Sequence, residues 1–243
     1  MANTVLSLRG VTKRFGGLVA VNGLSFDVGE HEVVGLLGPN GSGKSTTLNL
    51  ISGALPLTAG EVTLRGARIS GLPAQTITRR GVSRTFQLVR LLPSMNVRDN
   101  VVAGAVFGHR RRWGAEARAH AERLLETVGL GGKGDMAVGQ LTYIDTKRVE
   151  LARTLASEPT VLLLDEWLAG LNPTELQIGI SLIRSLRDEG RTIILVEHVM
   201  DAIRSLCDRC VVMAAGSHIA EGTPAEVLSD KTVIRAYLGD DDA

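Results

Sequence analysis

The stretch Glu32-Val33-Val34-Gly35-Leu36-Leu37-Gly38-Pro39-Asn40-Gly41-Ser42-Gly43-Lys44-Ser45 decides the fold. From Glu32 to Leu37 it is a nearly continuous apolar run that breaks at Gly38, which predicts a strand buried on both faces. A helix is predicted to follow from Lys44 to about Ile51. Gly38 to Ser45 matches the pattern G-x-x-x-x-G-K-[ST] in the strand-to-helix setting that the pattern requires. Glycines there let the backbone wrap phosphate groups, while successive N–H groups and the helix N-terminus offer partial positive charge. Lys44 is placed to neutralise β and γ phosphates, and Ser45 to coordinate Mg²⁺. The nucleotide-binding set is therefore Gly38, Pro39, Asn40, Gly41, Ser42, Gly43, Lys44 and Ser45, with Thr46 next on the helix. The expected ligand is a nucleoside triphosphate, ATP with Mg²⁺.

Outward from this loop, Val5 to about Thr63 reads as short antiparallel strands, as in Leu24-Ser25-Phe26-Asp27-Val28 and Glu61-Val62-Thr63-Leu64. Residues 88–158 carry helical patterns, among them Ala115 to Val128 closing at Gly129. Val161 to Leu164, Ile193 to Val196 and Val211 to Ala214 are short apolar runs separated by helices such as Glu175 to Asp188. That alternation belongs to a mostly parallel sheet. The expected fold class is α/β: a P-loop core with a mostly parallel sheet, an N-terminal antiparallel β lobe and a helical arm. One domain over 1–243 is expected, its helical subdomain at about 88–158.

Composition narrows the partners. Lys and Arg number 27 against 26 Asp and Glu in 243 residues, a formal charge of +1, so no nucleic-acid footprint dominates. No cationic, apolar leader opens the chain, and no apolar run approaches the ~20 residues that cross a bilayer. Cys207 and Cys210 invite a redox reading, but they precede the strand-like Val211-Val212-Met213 and do not open a helix that would hold down a thiolate. They are expected to be two small buried residues.

Val161-Leu162-Leu163-Leu164-Asp165-Glu166 is an apolar strand delivering two acids at its C-terminal end, where ligands of open parallel sheets collect. Asp165 is expected to hold Mg²⁺, directly or through water. Glu166 is placed to polarise an attacking water as a general base, so a hydrolase is expected.

In this order of motifs the chain resembles the ATP-binding subunits of ABC transporters, over nearly its whole length. The resemblance implies that Phe15 stacks on adenine with Val21 as an apolar neighbour. It makes Gln87 a loop glutamine that senses Mg²⁺ and the membrane subunit, and His198 a contact of the γ-phosphate. Lys44, Glu166 and His198 become the catalytic set, and Ser45, Gln87 and Asp165 the metal set. Ala169-Gly170-Leu171-Asn172 falls where the family contacts an opposing subunit. Arg84 to Leu91, Gly170 to Pro173 and the ending Ile234 to Gly239 look like the LivG type of branched-chain amino acid importer. Lipopolysaccharide-export ATPases have a similar ending, but they keep a standard signature that this chain lacks.

That signature, Leu-Ser-Gly-Gly-Gln, here reads Leu141-Thr142-Tyr143-Ile144-Asp145. Ile144 puts a β-branched side chain where backbone should approach ATP closely, and Asp145 is expected to cap its own helix and repel phosphate. A homodimer would pair two such segments, so the expected partner is a second ATPase subunit with an intact signature, with a homodimer as the alternative. Two transmembrane permeases and, indirectly, a periplasmic binding protein complete the implied assembly, at the cytoplasmic face of the inner membrane. Trp167 stands where the family has proline, and core packing is its expected use. His109-Arg110-Arg111-Arg112-Trp113 is expected to be solvated, with lipid head groups a more natural neighbour than bases. A nucleotide-driven clamp would carry tandem units or a long coiled coil, and a small-molecule kinase leaves Gln87 and His198 unexplained.

Overall fold

The computed structural model describes residues 3–238. The strands β1 (Thr4–Phe15) and β2 (Leu18–Gly29) open the chain, followed by β3 (Val33–Leu37) and α1 (Lys44–Ile51). Next come β4 (Ala59–Leu64), β5 (Ala67–Arg68), α2 (Ala74–Arg80) and β6 (Val82–Arg84). Three helices form the arm: α3 (Val97–Phe107), α4 (Gly114–Thr127) and α5 (Tyr143–Ala156). The chain then alternates through β7 (Val161–Asp165), α6 (Pro173–Asp188), β8 (Thr192–Val196), α7 (Met200–Leu206) and β9 (Arg209–Ala214). It continues with β10 (Ser217–Gly222), α8 (Pro224–Ser229) and α9 (Lys231–Leu238). Gly239 of the expected ending lies outside the described residues.

Six strands form one sheet in the order β10-β9-β3-β8-β7-β6, parallel except for the β9–β10 hairpin. Every residue of β3, β7 and β8 is buried, because helices or the second sheet cover both faces. Successive side chains alternate between two cores: Val33 and Leu37 join the helical side, Val34 and Leu36 the side of α1 and the antiparallel lobe. That lobe is a four-stranded sheet in the order β2-β1-β4-β5. Its first two strands are 12 residues each, longer than the turn-like glycines predict, because bulges at the β1–β2 register shifts absorb Gly10 and Gly23 without ending the ladder. Among the described residues no helix is long and apolar enough to cross a membrane.

Cys207 and Cys210 are buried, and a Cβ on Gly35 would lie 3.0 and 3.1 Å from their sulfurs, so the glycine at the centre of β3 makes room for both thiols. The basic run after α3 is mostly exposed, as expected: His109, Arg110, Arg111 and Trp113 face outward, while Arg112 pairs with Glu158 and Glu116 and Arg110 reaches Glu158 from the surface.

Trp167 is fully buried, with its ring against Gly179 of α6. Its indole Nε1 donates to the Lys147 carbonyl at 3.2 Å, and Lys147 Nζ returns a 2.9 Å bond to the Trp167 carbonyl. Trp167→Ala removes the largest buried side chain and one of these bonds, so a loss of about 3–5 kcal/mol is expected in urea unfolding.

Candidate functional site

β3 delivers the chain to Gly38 at φ 144°, where a Cβ would sit 2.1 Å from the Met213 carbonyl oxygen. Gly43, at φ 103°, would place one 2.5 Å from the Ala20 carbonyl. No side chain fits at either position, so the loop curls tightly onto β2 and β9 before α1 begins. Lys44 Nζ donates to the Gly38 and Pro39 carbonyls at 2.7 and 2.9 Å, which lays the ammonium across the loop. Burial lowers the Lys44 pKa, against the opposing pull of Glu166 and Asp165.

A cleft of about 330 Å³ lies over this loop, lined by Asn40 to Thr46, by Phe15 and by Glu166. Phe15 is half exposed, with Lys13 Nζ 5.0 Å from its ring centre. Val21 is corrected: its side chain is fully buried beneath Gly43, in the core below the loop. Strand alternation turns Leu18 and Ala20 to the cleft in its place.

Asp165 ends β7 and Glu166 follows it at φ 48°, a backbone conformation that L residues rarely adopt. The Glu166 N–H is held by the Val196 carbonyl at 2.8 Å, so the turn re-aims its carboxylate toward the cleft. Two donors from different elements meet there: Gln87 Nε2 at 2.7 Å from Oε2, and His198 Nε2 at 3.1 Å from Oε1. Asp165 Oδ2 accepts from Arg84 at 2.7 Å, whereas Oδ1 is buried with no hydrogen-bond partner. Burial raises the Asp165 pKa, with Arg84 pulling the other way.

At the departing signature the structure corrects the sequence reading. Thr142 caps α5, its hydroxyl accepting from the Asp145 N–H at 3.3 Å. Asp145 is buried, its side chain 9% exposed and its carboxylate paired with Lys133 at 2.7 Å and Arg148 at 3.2 Å, so it neither caps its helix nor faces outward to repel phosphate. Ile144 is likewise turned inward, leaving Tyr143 as the exposed member of the three. The Tyr143 ring lies 3.3 Å from where a Gly170 Cβ would be, so it packs over the Ala169 to Asn172 turn of its own chain. Asn172 then caps α6 in a capping box with Glu175.

Two contacts escape sequence reasoning. The Gly38 N–H donates to the Tyr237 hydroxyl of α9 at 2.8 Å. Arg84 joins Asp165 to Asn49 of α1, whose Oδ1 accepts from Nη1 at 2.6 Å. Both residues sit inside stretches that stand out in the sequence, but neither stretch names a partner.

A phosphate-wrapping loop, paired acids at the end of a parallel strand and a carboxylate gripped by glutamine and histidine define a P-loop nucleoside triphosphatase. Residues 21–169 match the family model described as ABC transporter, and residues 217–243 match that of the branched-chain amino acid ATP-binding cassette transporter. The chain is 40% identical over 254 residues to the high-affinity branched-chain amino acid transport ATP-binding protein LivG of Salmonella typhimurium, covering 99% of this chain and 100% of that one. BraF of Pseudomonas aeruginosa is 40% identical over 257 residues, with the same coverage. The lipopolysaccharide export ATP-binding protein LptB of Escherichia coli is 35% identical over 237 residues, covering 97% of this chain and 98% of that one. The solved ADP conformation of MJ1267, an ATP-binding cassette of an ABC transporter, superposes with a TM-score of 0.88 at 30% identity, covering 98% of this chain and 99% of that chain. The chain belongs to the ABC transporter ATP-binding family, and it is an ATPase.

Glu197, beside His198, is 2% exposed and accepts the Leu168 N–H at 2.7 Å, which ties β8 to the turn after Glu166. Burial pushes its pKa from an ordinary 4.5 up to about 7. The folded state therefore holds the proton more tightly than the unfolded chain. Stability from this group is full below pH 4.5 and is lost as pH rises through about 7. Over that range the loss is on the order of 3 kcal/mol. Unfolding midpoints measured across it should fall more steeply for the unchanged chain than for Glu197→Gln.

Proposed function

We propose that the chain is the ATP-hydrolysing subunit of an importer for branched-chain amino acids or related amides and organic acids. Full-length similarity carries this reading: 40% identity to LivG and BraF, whose names state branched-chain amino acid transport, over 99% of this chain. The 35% identity to LptB makes export the weaker reading. In this proposal residues 1–243 act as one ATPase domain, with 88–158 as the helical arm that faces the permeases.

ATP enters the cleft with adenine against Phe15 and its phosphates along Gly38 to Thr46. Lys44 moves from its own loop carbonyls to the β and γ phosphates, exchanging one set of acceptors for a more charged one. Glu166 is the general base that takes a proton from water at the carboxylate facing the cleft. His198 and Gln87 fix the orientation of that carboxylate, and His198 contacts the γ-phosphate. The unpartnered Oδ1 of Asp165 and the Ser45 hydroxyl at the cleft suit Mg²⁺, directly or through water, and Gln87 keeps its amide oxygen for the same ion. Bound there, Mg²⁺ would neutralise charge on the phosphate oxygens.

Two transmembrane permeases, a periplasmic binding protein and a position at the cytoplasmic face of the inner membrane complete the assembly. A second ATPase subunit with an intact signature pairs with this chain, because Ile144 stands where the signature has a glycine; a homodimer is the alternative. No nucleic acid takes part. Glu166→Gln should lower turnover about a hundredfold or more while ATP still binds, as measured by phosphate release and nucleotide-binding titration. The chain mixed with its second subunit and permeases should exceed the chain alone in ATP turnover. Equal rates would overturn the heterodimer, and stimulation by DNA or ribosomes in place of permeases would overturn transport.

A further inference from the structure

Glu150 lies on α5 and is 0% exposed. Carboxylates are almost never buried this deeply without compensation. Its nearest cation, Arg153, stays 3.7 Å away, beyond a good hydrogen bond. The direct partners are two backbone N–H groups: Phe86 on Oε2 at 3.4 Å and Arg90 on Oε1 at 3.1 Å. These two amides bracket Gln87-Leu88-Val89, a stretch without helix or strand in which Leu88 is 79% exposed. One carboxylate thus pins both feet of an arch. The guanidinium groups of Arg84 and Arg90 lie 4.9 and 4.7 Å from the centre of the Phe86 ring, which holds the first foot sideways as well.

The residue after that foot is Gln87, whose amide reaches Glu166 at 2.7 Å. Phe86 is therefore tied to the arm helix while its neighbour is tied to the catalytic carboxylate. We propose that Glu150 is a positioning residue for hydrolysis: it holds the 86–90 loop so that Gln87 meets Glu166. The proposal rests on the ATPase reading of the Glu166 site.

Glutamine at 150 keeps the shape but turns an NH₂ toward one of the two N–H groups, so one foot of the arch loses its acceptor. Aspartate keeps the charge and falls short by one methylene, which gives a second variant that tests the same reach. The test compares ATP turnover and KM in the full-length chain within its complex, for the unchanged protein, Glu150→Gln, Glu150→Asp, Gln87→Ala and the Glu150→Gln/Gln87→Ala double variant. Glu150→Gln should lower kcat about tenfold with KM within about twofold, the size expected when one charge-assisted hydrogen bond is lost. Glu150→Asp should fall in the same direction by less. Amides 86–90 should exchange hydrogen faster in both, with the thermal midpoint little changed.

Because Glu150 acts through Gln87, the double variant should be no slower than Gln87→Ala alone. Losses that multiply, or a KM that rises in step with the fall in kcat, would overturn the proposal in favour of general damage. A Gln87→Ala variant as fast as the unchanged protein would instead overturn the reading of the Glu166 site on which the proposal rests.

Discussion

The guanidinium of Arg84 is the junction on which the site depends. It pairs with Asp165 where both side chains are at most 7% exposed, and its other amino group bonds Asn49 on the helix that follows the phosphate loop. A buried pair of this kind is costly to break, because removing one partner strands the other charge in a medium that cannot solvate it. Arginine suits the position better than lysine, since its planar fork serves two acceptors at once and its face covers Phe86. Strand β6, strand β7, helix α1 and the 86–90 loop are therefore held in one register around the acids.

Glu166 exploits that rigidity. Its left-handed backbone is strained in isolation, and the anchor to Val196 keeps it there. The same strain points the carboxylate away from Asp165 and toward the cleft, where donors from two other elements complete its environment. Adjacent acids consequently do different work: Asp165 is sunk against an arginine, Glu166 is presented. Trp167 and Glu197 fasten the turn from behind, one to the arm helix and one to the Leu168 amide.

How much of this could be read in the sequence follows from the range of each interaction. The loop from Gly38 to Ser45, the acid pair and the alternation of strands and helices are local patterns, and they are where the sequence places them. Val21 was misplaced because the side of a strand that faces a cleft depends on register, and one step along β2 exchanges Ala20 for Val21. Asp145 was misplaced because its character depends on Lys133, twelve residues away, and on Thr142 taking the cap first. Long β1 and β2 strands hid behind glycines that bulge without breaking a ladder. The grip of Glu150 on two backbone amides had no sequence signal at all, since amides carry no residue identity.

Tyr237 gives the fold a direction in time. The amide of Gly38, first residue of the phosphate loop, is held by a hydroxyl 199 positions later. During synthesis the loop, its strand and its helix emerge well before this support, which follows 199 positions later. A nascent chain can thus carry the whole stretch from Gly38 to Ser45 and still lack the hydroxyl that braces its first amide.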